Sequence, residues 1–172
     1  LLHNHYADGS PRYRYPLVQY KVVDGTPALL GLNEGAELLV DLFLRIRELN
    51  IDGNHIPLHH KHIECRETEA GYSETLHRYE FKTLWMALNQ KNYPRYRDAS
   101  EAERLALLTR VLRGNILSVF KGLDIWLTPE QRILCRPEVT QRQTNFKNQS
   151  MLAFAGSFTA NALLPPWAGV GR

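Results

Sequence analysis

The sequence predicts an α+β fold of two small units in tandem. Two observations carry that reading. Short strand-like runs rich in Tyr, Val and Phe alternate with two amphipathic helical runs, the pattern expected when helices cover one side of an antiparallel sheet. No low-complexity linker interrupts the 172 residues, so the two halves are expected to pack, with a boundary near Gly71.

In the first half, Asp8-Gly9-Ser10-Pro11 is a turn signal, and residues 13–23 follow as a strand. Tyr13, Tyr15, Leu17, Gln19 and Lys21 would share one side of it, because strand side chains alternate. Pro16 suits an edge position or a bulge. Asp24-Gly25-Thr26-Pro27 makes a second turn and residues 28–32 a short apolar strand, which together give a hairpin. Asn33 is placed to cap a helix over residues 34–49, with Glu34 and Glu37 at its positive end. Leu38, Leu39, Leu42, Phe43, Ile46 and Leu49 recur at helical spacing on its apolar face. Gly53 ends that helix, and residues 55–69 read as another strand.

The second half runs similarly. Residues 76–85 read as a strand, and residues 89–97 as a polar, tyrosine-bearing insertion broken by Pro94. Ser100 opens a long helix, with Glu103 completing a capping box. Leu105, Leu108, Leu112, Ile116, Val119 and Leu123 form its expected buried stripe, and Arg104, Arg110 and Arg113 its outer face. Residues 132–146 and 151–163 pair as strands across Lys147-Asn148-Gln149. The order fits two ferredoxin-like (RRM-like) units, residues 1–70 and 71–172, the first lacking its opening βα in this chain and the second shortened at its C-terminus.

Composition narrows the function without naming it. Hydrophobic residues make up 44% and charged residues 23%, an ordinary globular balance. The net charge of +3 and pI near 8.9 suit a nucleic-acid partner without requiring one. Cys65 and Cys135 are far apart and in no metal or redox spacing, which fits a reduced, cytoplasmic protein. No apolar run reaches membrane-spanning length.

The chemistry-bearing stretch is residues 3–21. His3 and His5 stand one residue apart, ahead of a strand that interleaves Arg12 and Arg14 with Tyr13 and Tyr15. On an extended backbone the two imidazoles share a face, their Cβ atoms about 7 Å apart. That separation lets them flank one phosphodiester. Imidazole gives or takes a proton near neutrality, so the pair suits an acid and a base. RNA carries its own nucleophile in the 2′-OH, and such a site needs only proton transfer and a stabilised phosphorane.

The wording around these residues resembles a known family. His3-Asn4-His5, residues 14–21, Gly31-Leu32-Asn33-Glu34-Gly35, residues 85–93 and Arg113-Gly114-Asn115-Ile116-Leu117-Ser118 are similar to the CRISPR repeat-RNA (pre-crRNA) processing endoribonucleases, the Cas-six family in its b-type branch. The contiguous His-Asn-His is distinct from the dispersed metal-binding HNH motif. The resemblance implies a metal-independent endoribonuclease with no cofactor. It would cut precursor RNA within repeats and leave a 2′,3′-cyclic phosphate and a 5′-OH. His3 and His5 would be the proton-transfer pair, with Tyr13 supplementing them. Arg12, Arg14 and Lys21, then Lys91 and Tyr93, would contact RNA. Gly169, Gly171 and Arg172 match the opening of the family's glycine-rich loop, where backbone N–H groups approach phosphates. Family members usually carry a strand and helix ahead of the histidines and continue past Gly171, so the chain reads as trimmed at both ends. CRISPR repeat RNA is the expected partner, with other effector subunits or a second copy as further ones.

Two rivals accompany this reading. The same fold can hold repeat RNA without cutting it. Alternatively, His55, His59, His60 and His62 invite a metal-dependent nuclease, but they lack the cysteines or firm helical spacing of a zinc site.

Overall fold

Two Asp-Gly pairs shape the first unit. Asp24 and Gly25 take φ of 49° and 78°, and Asp52 and Gly53 take 51° and 83°. Paired positive φ values are what a two-residue hairpin turn needs, and Asp-Gly accepts them readily. The first turn joins β1 (Val18–Val23) to β2 (Thr26–Gly31), and the second joins β3 (Glu48–Ile51) to β4 (Asn54–Pro57). Both pairs are antiparallel, and each is a separate two-stranded sheet. The structure, a computed structural model, describes residues 16–85, 88, 91–146, 148–166 and 168, with the backbone alone at Phe146 and Gln149. The chain divides into two compact units, Leu1–Glu67 and Thr68–Arg172.

Between the hairpins lies α1 (Glu34–Arg45), which packs on β2. Its entry is tight. A Cβ on Gly35 would collide with the Leu17 carbonyl oxygen, and one on Gly31 would meet the first turn of the helix at 2.5–2.7 Å. Glycine at these positions lets the helix backbone lie against the hairpin, and Leu32 N–H donates to Leu17 O at 2.8 Å across the same junction.

Three expectations for this unit are corrected. Asn33 makes no side-chain cap; it sits at φ 50° and ψ −125°, and its backbone oxygen accepts from Ala36 N–H instead. The helix stops at Arg45 rather than residue 49, because Ile46 turns extended (ψ 130°) to start the second hairpin. The strand read over residues 55–69 is only β4, and residues 58–70 are irregular. That stretch is mostly exposed and polar, and offers no alternating apolar side to bury. Lys61 ties it down by donating to Phe43 O and Ile46 O at 2.5 and 2.9 Å, satisfying carbonyls at the end of α1.

The second unit has the larger core. Strand β5 (Gly71–Glu80), short helix α2 (Tyr93–Arg97), helix α3 (Glu101–Gly122), β6 (Cys135–Phe146) and β7 (Gln149–Leu163) follow in order. The sheet order is β5-β7-β6, all antiparallel neighbours. The third strand thus lies between the first two, and α3 makes the crossover: the split βαβ half of a ferredoxin-like unit. Strand β5 starts at Gly71, earlier than read from the sequence, and Trp85 meets Phe154 as an isolated bridge beyond its end. Leu107, Leu108, Leu112, Ile116, Val119 and Phe120 are the buried residues of α3. Leu105, expected in this stripe, is 52% exposed. By spacing it shares the face of Leu108 (i+3) and Leu112 (i+7), but it lies near the start of the helix, ahead of the buried run that begins at Leu107. Aromatic rings run through the core: Phe158 stacks on Tyr79 at 5.2 Å and touches Phe81 at 5.4 Å, and Phe81 stacks on Trp85 at 5.4 Å. Among the described residues, no helix is long and apolar enough to cross a membrane.

Candidate nucleic-acid interface

The expected catalytic residues His3, His5 and Tyr13, and the expected RNA contacts Arg12, Arg14, Gly169, Gly171 and Arg172, lie outside the described residues. Lys21, Lys91 and Tyr93 lie within them. Lys21 belongs to the first unit, and Lys91 and Tyr93 to the second.

Lys21 sits on β1 opposite Ala28, on the half-covered side with Gln19 and Val23, while Tyr20 and Val22 are exposed on the other. Partial burial lowers its ammonium pKa from the ordinary 10.5, since leaving water disfavours the charged form. A cation so placed gains more from meeting an anion than one already fully hydrated. It stands on the strand that carries on from the Arg- and Tyr-bearing stretch of the chain.

In the second unit, Lys91 is exposed just ahead of α2, and Tyr93 opens that helix half-exposed. Pro94 falls in its first turn, where no backbone N–H is needed. Tyr96 faces inward. Its ring meets Phe154 edge-on at 5.5 Å, and its hydroxyl donates to Gln141 Oε1 at 3.2 Å. Arg104 anchors the short helix by donating to Tyr96 O and Arg97 O, both at 2.9 Å, with its guanidinium 5.2 Å from the Tyr96 ring. This arginine, expected on the outer face of α3, is therefore a clamp between helices. Arg97 is paired with Asp98 at 2.7 Å, which raises the guanidinium pKa and lowers the carboxyl.

Between these helices opens a shallow cleft of about 280 Å³, lined by Arg95, Ala99, Glu103, Ala106, Leu107 and Arg110. Sequence reasoning missed it as a unit, because Arg95 and Arg110 belong to different elements with no motif joining them. The capping box at Ser100 brings them together by fixing where α3 starts. Ser100 N–H and Oγ–H donate to Glu103 Oε2 at 2.8 and 2.7 Å, and Glu103 N–H donates back to Ser100 Oγ.

Of the four histidines considered for a metal, His55 lies beside Glu48 at 3.0 Å across the β3–β4 hairpin, and His59, His60 and His62 are exposed in the irregular segment. Among the described residues no three His, Cys, Asp or Glu side chains gather to hold a metal ion. Cys65 is exposed and Cys135 buried, and burial pushes the Cys135 thiol up to about 12.

The hairpin–helix unit followed by a split βαβ unit places the chain among α+β proteins with tandem ferredoxin-like units. Profiles of the Cas6b N-terminal domain and the Cas6b C-terminal domain match residues 1–69 and 71–172. The chain belongs to the Cas6b family. A crystal structure of Cas6b superposes with a TM-score of 0.80 at 33% identity, covering 98% of this chain and 77% of that one. A crystal structure of the CRISPR RNA processing endoribonuclease Cas6b gives 0.74 at 30% identity, covering 93% and 77%. An uncharacterized protein of Methanocaldococcus jannaschii is 33% identical over 133 residues, 77% of this chain and 89% of its own length.

Proposed function

We propose that this chain is a metal-independent endoribonuclease that cleaves CRISPR precursor RNA within its repeats. The observation that carries the reading is its membership of the Cas6b family along both units, with structural likeness to a CRISPR RNA processing endoribonuclease. His3 and His5 are the acid and base. One takes the proton of the 2′-OH as it attacks the adjacent phosphorus, and the other protonates the departing 5′ oxygen. The products are a 2′,3′-cyclic phosphate and a 5′-OH. Tyr13 donates to the phosphate, and Arg12, Arg14 and Lys21 steady the charged phosphorane and its neighbours. Lys91, Tyr93 and the Gly169-to-Arg172 segment hold the flanking RNA.

The test uses end-labelled repeat RNA in excess chelator, beside an RNA with a 2′-deoxy substitution at the cut site. Cleavage of the first and protection of the second is the expected result. Double replacement His3→Ala/His5→Ala is expected to slow cleavage by at least about 10²- to 10⁴-fold, the range for one acid or base, while RNA binding persists. Cleavage that survives the double replacement sinks the assignment. Tight binding with no cleavage by the unmodified chain would favour the RNA-holding rival.

A further inference from the structure

We propose that the cleft between α2 and α3 is a second RNA-backbone site. In it Arg95 and Arg110 grip phosphates of single-stranded substrate, independently of the histidine pair. The inference rests on the RNA reading above and adds residues to it.

Two arginines of α2 and α3 are already engaged. Arg97 is held by Asp98, and Arg104 by two carbonyls and a ring. Arg95 and Arg110 line the same cleft, both are exposed, and neither has an ion pair or hydrogen bond among the described residues. Two arginines lining one cleft bias it toward an anion, because like charges gain from an opposite charge placed near both. Each offers a planar fork that matches the oxygens of a phosphodiester.

The floor also selects the partner. Ala99, Ala106 and Leu107 give it an apolar surface on which a flat base or a ribose can lie. A strand of nucleotides has both parts, charge and flat apolar faces, at a regular repeat. An acidic peptide has the charge alone.

Glu103 is the one acid in the lining. Its carboxylate is held by the Ser100 hydrogen bonds, so it stands in the lining as a fixed negative charge. It therefore opposes an incoming phosphate, and its neutralisation should help binding. Gln serves as well as Glu in a capping box, so Glu103→Gln removes the charge and keeps the helix start.

The test measures binding of fluorescein-labelled repeat RNA by anisotropy over a range of salt, in the His3→Ala/His5→Ala background so that the RNA stays intact. Arg95→Ala/Arg110→Ala is expected to weaken binding about tenfold or more. It should also flatten the salt dependence by about 0.7 in log–log slope for each phosphate no longer neutralised. Glu103→Gln is expected to tighten binding. With His3 and His5 present, the arginine variant should raise KM and leave the single-turnover rate at saturating protein unchanged. Circular dichroism of both variants should match the parent, since the replaced side chains are exposed. Unchanged affinity and salt slope in the arginine variant would overturn this inference alone, and so would stronger competition for the cleft by a polyglutamate peptide than by oligouridylate. A parent chain that binds no RNA would overturn it together with the proposed function. Cleavage that persists without His3 and His5 would touch only the latter.

Discussion

The two units differ in how they hold themselves together. In the second, Trp85, Phe120, Phe154, Phe158, Leu112, Ile116 and Val119 are fully buried between α3 and a three-stranded sheet. In the first, Gly35 is the only buried position among the described residues of two hairpins and one helix, and Tyr20 and Leu44 stand 66% and 63% exposed. Apolar burial is the main favourable term in folding, so stability concentrates in the second unit. The proposed proton-transfer pair belongs to the first. On that proposed assignment, scaffold and chemistry are carried by different stretches of chain.

The largest effect that tests this contrast comes from truncating a central ring. Phe158→Ala removes the packing against Tyr79 and Phe81 on a residue 1% exposed, and should cost about 3–5 kcal/mol in a denaturant titration. Leu44→Ala, on the outer side of α1, should stay within about 0.5 kcal/mol, as exposed substitutions do. Similar costs for the two would erase the distinction. A smaller effect is expected where the first unit does pack closely. Gly35→Ala drives a methyl into the Leu17 carbonyl, and should cost about 1–3 kcal/mol through forced backbone shifts. A neutral result would mean that α1 is only loosely seated on its hairpin.

Long periodic features are legible in the sequence, and short ones are hidden. The stripe of α3 and its capping box stand out because six turns of helix repeat one signal and Ser100-x-x-Glu103 is a local motif. The two Asp-Gly hairpins show the limit. The turn at Asp24-Gly25 is recognisable because Tyr- and Val-rich strand residues precede it. The identical pair at Asp52-Gly53 passes for a helix end, because Leu49 continues the periodicity of α1. Four-residue strands are too short to outweigh a running helical pattern. The cleft is illegible for another reason. Local motifs cannot report that Arg95 and Arg110 line one cleft, since that depends on how α2 and α3 pack. The resemblance of residues 3–21 carries most of the functional reading, because the alternation read there implies a strand and a shared face but no activity.

The smallest test concerns the two helix starts, and it should give opposite signs. Ser100 has extended φ and ψ, and its hydroxyl accepts from Glu103 N–H, so Ser100→Ala should cost about 1 kcal/mol. Asn33 holds φ 50° and ψ −125° with no side-chain hydrogen bond to the helix. That backbone region costs a non-glycine residue about 1–3 kcal/mol, and glycine gives back about 0.5–1 kcal/mol of it in chain entropy. Asn33→Gly should therefore stabilise the first unit slightly, read as a higher denaturant midpoint with an unchanged slope. Acid separates the two starts further. The Ser100 hydrogen bonds hold the Glu103 carboxyl below its ordinary 4.5, so its contribution is present above that value and fades as pH falls through the lowered one. Glu103→Gln should flatten the acid limb of the stability curve, whereas Asn33→Gly should shift the curve without changing its shape. If Asn33→Gly instead destabilises the chain, the left-handed entry to α1 is held by more than its backbone, and the first unit is more firmly built than its exposure suggests.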